Sequence, residues 1–501
     1  MVKGFVLVAS GLAVLAGVLG VYDATRPKVV ALRVDREAYL RKVATDSQSA
    51  ADHRIWAEEA VRVGNFEDAR KAYALGAEIL FKKGDDNMAF QYRRWSQRYE
   101  TWLRAFVPDE EPPKRPLAKH EPAAGLLSGA FIDNEAQITE TYTESNGKVR
   151  RDLGVFNRWT GIQHQMAFIY LRYDQPFPAE FVRDCKENGA LPQIAWEPKY
   201  LEKVQDDEWL RSFARACGQA GVPIFLRFAS EMNGDWVRYS GDPKLYIEKW
   251  RIVTRVMREE APNVAMVWCV FEIPERHIED YYPGGEYVDW VGVNVYSVPF
   301  YDNDPKRDGS WRHPLDGVRH VDELYGARHP ILICEYASSH MSSLDRKFRN
   351  DFAIERLREM YYGLPLIYPS VKGICWLSMD ATKWAIEGRQ KNNYSVLDQP
   401  SITLAYQQAL REPWMLIDNR KPKEAVRFRE LKQGEDPAGR AVRIHVKQPR
   451  EAGYRLFWLH RDGETELSLR GGTASILPQK SDKLELRAEG RRVVARHSFS
   501  K

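Results

Sequence analysis

A chain of 501 residues with a hydrophobic fraction of 44% and 15 tryptophans carries enough apolar surface for two or three packed domains, which excludes a disordered protein. Its formal net charge is only +4, with Lys and Arg dispersed among Asp and Glu, so nothing in the electrostatics calls for nucleic acid as a partner. Five cysteines, with no CxxC pair and no metal-ligand spacing, exclude a fully paired disulfide framework and supply no metal centre.

In chain order, the first feature is a single positive charge, Lys3, ahead of an uncharged apolar stretch rich in small residues at 4–22. Residues 1–22 read as a signal peptide or a signal anchor, with cleaved and uncleaved forms both open. They predict export to the periplasm, to the extracellular space or to an inner-membrane anchor through residues 4–22. Residues 37–106 hold Ala, Arg, Glu and aromatics at helical spacing, interrupted at Gly64-Asn65 and Gly84-Asp85-Asp86. Three helices in a module loosely like a tetratricopeptide pair fit this pattern, and the module is a candidate docking part for a protein partner. Residues 107–124, with five prolines between Val107 and Pro122 and no apolar period, read as an extended linker.

From 125 to 400 short apolar runs alternate with amphipathic segments, the pattern of an α/β fold at nearly the length of one (β/α)8 TIM barrel. The predicted strands are 126–132, 166–171, 191–195, 223–228, 264–270, 288–293, 331–334 and 373–377, with helices such as 246–260 and 345–362 between them. Cys269, Cys334 and Cys375 fall inside such runs and read as core, and Cys185 and Cys217 lie in helical stretches. Residues 415–501 change to alternating runs broken by Gly and Asp, which predicts a small antiparallel β-sandwich.

Two of the apolar runs end in a carboxylate. Pro223-Ile-Phe-Leu-Arg-Phe-Ala-Ser leads to Glu231, and Ile331-Leu-Ile-Cys leads to Glu335. In a parallel barrel both would lie at the C-terminal mouth, and two convergent carboxylates are the minimum equipment for cleaving a glycosidic bond. A lone glutamate at a strand end is more often a solvated cap or an ion-pair partner, so the weight rests on the pair. Glu197 reads as a supporting residue, Glu272 as lining the mouth and Asp133 as opening a loop.

The segment Arg227-Phe-Ala-Ser-Glu-Met-Asn-Gly-Asp-Trp236, with Gly189 to Pro198 and Tyr282 to Tyr296, resembles glycoside hydrolase family 26 of the retaining barrel glycosidases. The resemblance covers roughly 125–400 and implies a retaining double displacement on a β-linked polysaccharide, with Glu335 as nucleophile, Glu231 as acid/base and no cofactor. It also implies Arg227, Ser230, Asn233 and Tyr296 as substrate-binding residues and Trp376 as an aromatic platform. Trp196 and Trp236 read equally as sugar contacts or as packing. The family's His before the acid/base is Ser230 here, which puts mannan, mixed-linkage glucan and exopolysaccharide nearly level as substrates. The sequence thus predicts an exported endo-β-glycanase, with a glycan-binding or assembly subunit of little turnover as the alternative.

Overall fold

A computed structural model describes residues 26–109, 111, 115–417 and 426–500, with side chains from 36 onward. The predicted signal segment at 1–22 lies outside the described residues. Among the described residues no helix is long and apolar enough to cross a membrane. The chain divides into two compact units, 1–99 and 100–501.

In the first unit four helices are described where the sequence suggested three: α1 (Arg26–Asp46), α2 (Ala50–Arg62), α3 (Phe66–Lys82) and α4 (Asp86–Arg98). Both interruptions noted in the sequence are capped turns. Asn65 accepts from the Asp68 amide at 3.3 Å and Asp85 from the Met88 amide at 3.2 Å, satisfying otherwise orphaned helix donors. Small residues on facing helices (Ala57, Ala60, Ala69, Ala72) let Trp56, Tyr73 and Tyr92 fill the core.

The second unit is built on eight parallel strands: β1 (Leu126–Phe131), β2 (Met166–Arg172), β3 (Leu191–Glu197), β4 (Ile224–Phe228), β5 (Val264–Phe271), β6 (Trp290–Ser297), β7 (Ile331–Ser338) and β8 (Val371–Leu377). They follow one another around the sheet in chain order, and β8 pairs parallel with β1 from Gly373↔Leu127 to Leu377↔Phe131, which closes the barrel. All eight predicted strands are present. Five end later than expected, β6 and β7 most of all, so that Tyr296 and Glu335 lie within these two strands rather than after them. Outside pack α5 (Leu153–Thr160), α6 (Ala179–Glu187), α7 (Glu208–Gln219), α8 (Pro243–Glu260), α9 (Asp316–Tyr325), α10 (Asn350–Ile367) and α11 (Pro400–Leu410); between β5 and β6 there are only short 3-10 turns. Strands covered on both faces must be apolar on both, which is why they read as unbroken runs. All five cysteines are buried and unpaired.

The C-terminal region holds two four-stranded antiparallel sheets. One consists of Gly463–Leu467, Arg455–His460, Lys483–Arg487 and Val493–Ser498 in spatial order. The other contains a strand that the sequence reading divided between helical module and linker. Trp102–Asp109 lies between Arg427–Glu430 and Val442–Lys447, with Thr473–Ile476 beyond. Leu103, Ala105, Phe106 and Val107 are its buried residues. Its partners are far away in sequence, so no local pattern marked it. At the other boundary, Met415–Leu416 pairs with β1 of the barrel, so residue 415 does not open the C-terminal sheets. The mixed sheet is tied to α9 by a charge cluster: the buried Lys447 Nζ lies 2.6 Å from the buried Asp316 and 3.1 Å from the half-buried Glu100, and the half-buried Arg319 lies 2.6 Å from Glu100.

Candidate active site

β4, β6 and β7 deliver the charged centre of the barrel mouth. Arg227, next to last in β4 and 1% exposed, spans the interior: its Nη2 donates to Glu335 Oε1, and its Nη1 lies 3.5 Å from Asn294 Oδ1. The guanidinium also covers the rings of Phe168 and Tyr170 of β2. The second oxygen of Glu335 accepts from the Tyr296 hydroxyl. The pairing of β7 with β6 shifts register between Ile333 and Glu335, and such a bulge re-aims the side chain that follows it.

Glu231 stands three residues beyond β4 in a turn with two non-glycine residues in the left-handed region, Ala229 (φ 48°) and Glu231 (φ 61°). Each such residue costs about 1–3 kcal/mol and persists only where its surroundings over-determine it. They do so here. The Ala229 amide donates to Trp196 O at 3.0 Å, the Glu231 amide to Cys269 O at 2.9 Å, and the Tyr246 hydroxyl to Ala229 O at 3.2 Å. Asn233 joins the turn to the end of β5, donating to Phe271 O at 2.8 Å and accepting from the Phe271 amide at 2.9 Å.

The Glu231 carboxyl receives Asn294 Nδ2 at 2.7 Å and the Trp236 indole N–H at 2.6 Å. Asn294 thus connects the two glutamates, one through its amide N–H and the other through Arg227. Trp236 curls back over Gly234, where a Cβ would come within 2.3 Å of the indole ring. Burial pushes the Glu231 carboxyl above its ordinary pKa and the Glu335 charge pushes it further, while Asn294, Trp236 and Arg227 oppose the shift. Burial, and after it the Glu335 charge, also raises the Tyr296 phenol well above its usual range, so it remains a donor. The arrangement offers one carboxylate held by an arginine and a phenol, and a second carboxyl biased toward its neutral, proton-carrying form.

Several expected contacts with substrate are corrected by burial. Trp196 and Trp376 are both fully buried and belong to the outward, helix-facing side of their strands. Trp196 stacks on Phe213 of α7 with centroids 4.0 Å apart, and Trp376 packs edge-on to Tyr406 of α11. An indole used in this way cannot lie under a sugar. Arg227, Ser230 and Asn233 are each at most 3% exposed, and the first and third are occupied with the site's own groups. Trp236, 38% exposed, and the half-buried Tyr296 remain as surfaces in the cleft. Glu272 and Asp133 are each engaged by a buried arginine, Arg312 and Arg150 respectively. Asn294 and Tyr170 were missed in the sequence. Alternation could have found Asn294, two residues before Tyr296 on the same face of β6. Among the described residues no group of three His, Cys, Asp or Glu side chains could hold a metal ion.

Residues 198–308, from the end of β3 past β6, match the sequence model of glycosyl hydrolase family 26. That stretch of the barrel is similar to family 26. The matched stretch holds Glu231, Trp236, Asn294 and Tyr296; Glu335, the helical unit and the C-terminal sheets lie outside it. The chain is 22% identical over 212 residues to the β-1,3-xylanase TXYA of a Vibrio species, covering 40% of this chain and 46% of that one. It is 28% identical over 86 residues to mannan endo-1,4-β-mannosidase A and B of Caldalkalibacillus mannanilyticus, covering 15% and 17%. The chain therefore spans less than half the length of these relatives. A modular endo-β-1,4-mannanase from Cellulomonas fimi superposes with a TM-score of 0.41 at 13% identity, over 75% of this chain and 94% of that one.

Proposed function

We propose that this chain is an exported, retaining endo-β-glycanase in which Glu335 attacks the anomeric carbon and Glu231 protonates the leaving oxygen, then deprotonates the incoming water. The observation that carries the reading is the unequal treatment of the two carboxyls. Glu335 is fixed by Arg227 and Tyr296, as a nucleophile needs, and Glu231 is biased toward its protonated form by burial and by its neighbour's charge, as a general acid needs. The family 26 match over the Glu231 segment supports it. The names of the relatives put β-1,3-xylan beside β-mannan, mixed-linkage glucan and exopolysaccharide as substrates to try. Export rests on Lys3 and the apolar run at 4–22.

The test is digestion of a panel of these β-glycans with the anomeric configuration of the first product read by proton NMR. A β product supports the reading and an α product overturns the retaining mechanism. Binding without cleavage of any member gives the lead to a glycan-binding or assembly subunit.

A second expectation follows from Trp236. Its indole N–H favours the charged form of Glu231, so its loss raises the pKa of the acid. Activity needs the protonated acid and is lost as pH rises through that pKa. Trp236→Phe should therefore move the alkaline limb of the kcat/KM profile to higher pH, whatever it does to KM. A limb that stays in place or moves down removes Trp236 from control of the acid.

A further inference from the structure

Behind the turn that carries Glu231 sits a third carboxyl, Glu197, the last residue of β3. Its Oε2 contacts the Tyr239 hydroxyl and lies 3.3 Å from the Ser230 amide. The same Tyr239 oxygen is 2.6 Å from the Ser230 carbonyl. A phenol has one proton, and a carbonyl oxygen has none to give. Two oxygens at 2.6 Å require a proton between them, so the Tyr239 proton lies toward Ser230. The other contact then needs a proton of its own, and only the Glu197 carboxyl can supply it.

We propose that Glu197 is a protonated positioning residue: its carboxyl donates to Tyr239, Tyr239 donates to the Ser230 carbonyl, and this relay holds the left-handed turn that aims Glu231. The proposal rests on the reading of Glu231 as acid/base. The groups facing Glu197 fit a neutral acid. From β4, Arg227 is committed to Glu335; from the loop after β4 come Tyr239 and the second acid Glu231, which disfavours a charge on Glu197; from α8 comes Tyr246, whose phenol burial keeps neutral. Arg172, opposite Glu197 in β2, turns outward to Asp174 at 2.9 Å. Burial raises Glu197 to about 7, against the opposing effects of Arg227, Tyr239 and Ser230, with Glu231 adding to the rise.

The consequence is a second proton on the alkaline limb. Above about pH 7 the Glu197 carboxyl ionises, the Tyr239 proton turns to it, the Ser230 carbonyl loses its donor, and the turn loses one of its restraints. Glu197→Gln keeps a neutral donor at every pH, at the expense of the long contact with the Ser230 amide. It should act like wild type near pH 6 and keep its activity further into alkali, with the two-proton fall of the wild type reduced to one. Glu197→Ala and Tyr239→Phe should lower kcat about 100-fold with KM little changed, the usual cost of a misplaced catalytic group. A profile of Glu197→Gln that overlays the wild type overturns the proposal.

The direct readout needs no turnover. In protein carrying 13C-carboxyl glutamate, one signal absent from Glu197→Gln should stand at the protonated position at pH 6, move near neutral pH, and shift in Tyr239→Phe. A signal already at the carboxylate position at pH 6 overturns the proposal. If no glycan is cleaved while this titration is seen, the glycanase reading falls and the Glu197 assignment stands.

Discussion

Glu335→Ala should abolish cleavage of every glycan the wild type accepts while leaving glycan binding largely intact. If Glu335 forms the covalent bond to the sugar, its loss removes a whole reaction step rather than a contact. The barrier should rise by at least about 5 kcal/mol, which is about four orders of magnitude in rate. A loss that large could also follow from misfolding, because the alanine leaves Arg227 buried without its carboxylate partner. Glu335→Gln separates the two causes: it keeps a carbonyl oxygen for Arg227 and turns its NH2 to the Tyr296 oxygen, which can accept, but it cannot attack the anomeric carbon. It should be folded and equally inactive. Added azide should restore cleavage to the alanine variant and yield the glycosyl azide of inverted configuration, since a small anion can enter the space of the missing carboxyl. Wild-type turnover in either variant removes Glu335 as the nucleophile.

Arg227→Met should be the most destabilising substitution in the mouth. Arg227 is 1% exposed and Glu335 3%, so removing the cation strands a carboxylate in the barrel interior. Breaking one side of a buried ion pair costs about 3–5 kcal/mol, most of it the penalty for the charge left behind. Urea denaturation should show a loss of that size. The double variant Arg227→Met with Glu335→Gln, with no charge to strand, should regain most of the stability and none of the activity. If the double variant is as unstable as Arg227→Met alone, the arginine acts through packing on Phe168 and Tyr170 and not through its charge.

The barrel and its two mouth glutamates were legible in the sequence for one reason. Parallel strands covered on both faces produce runs such as Ile224 to Phe228 and Ile331 to Cys334, and the polar residues that stop such a run stand out. The same feature hid the direction of each side chain. A run apolar on both faces has lost the alternation that separates inward from outward, so Trp196 and Trp376, which face helices, read like candidates for the cleft. Asn294 interrupts such a run and shares the face of Tyr296, but its place between Glu231 and Glu335 is set by β6 and β7 together with the turn after β4, which the run does not show. The strand Trp102–Asp109 was invisible for a different reason: its neighbours in the sheet are remote in sequence, and Pro108 and the adjacent helices obscured its short alternation.

That strand bears on how the chain emerges from the ribosome. The Trp102 indole N–H meets His445 Nδ1 across 343 residues, and the whole barrel is made in between. Since Trp102–Asp109 occupies an inner place in its sheet, both of its edges stay open until the segments holding Arg427–Glu430 and Val442–Lys447 have been synthesised. At about 5–20 residues per second this is an interval of tens of seconds, in which a strand containing Leu103, Phe106 and Val107 can pair with the wrong partner. Pro108, which offers no amide N–H to a stray edge, and Arg104 blunt it in the meantime. A nascent chain of this kind gains from a holding chaperone, and a gene cut after the barrel would yield a protein whose inner strand never finds its neighbours.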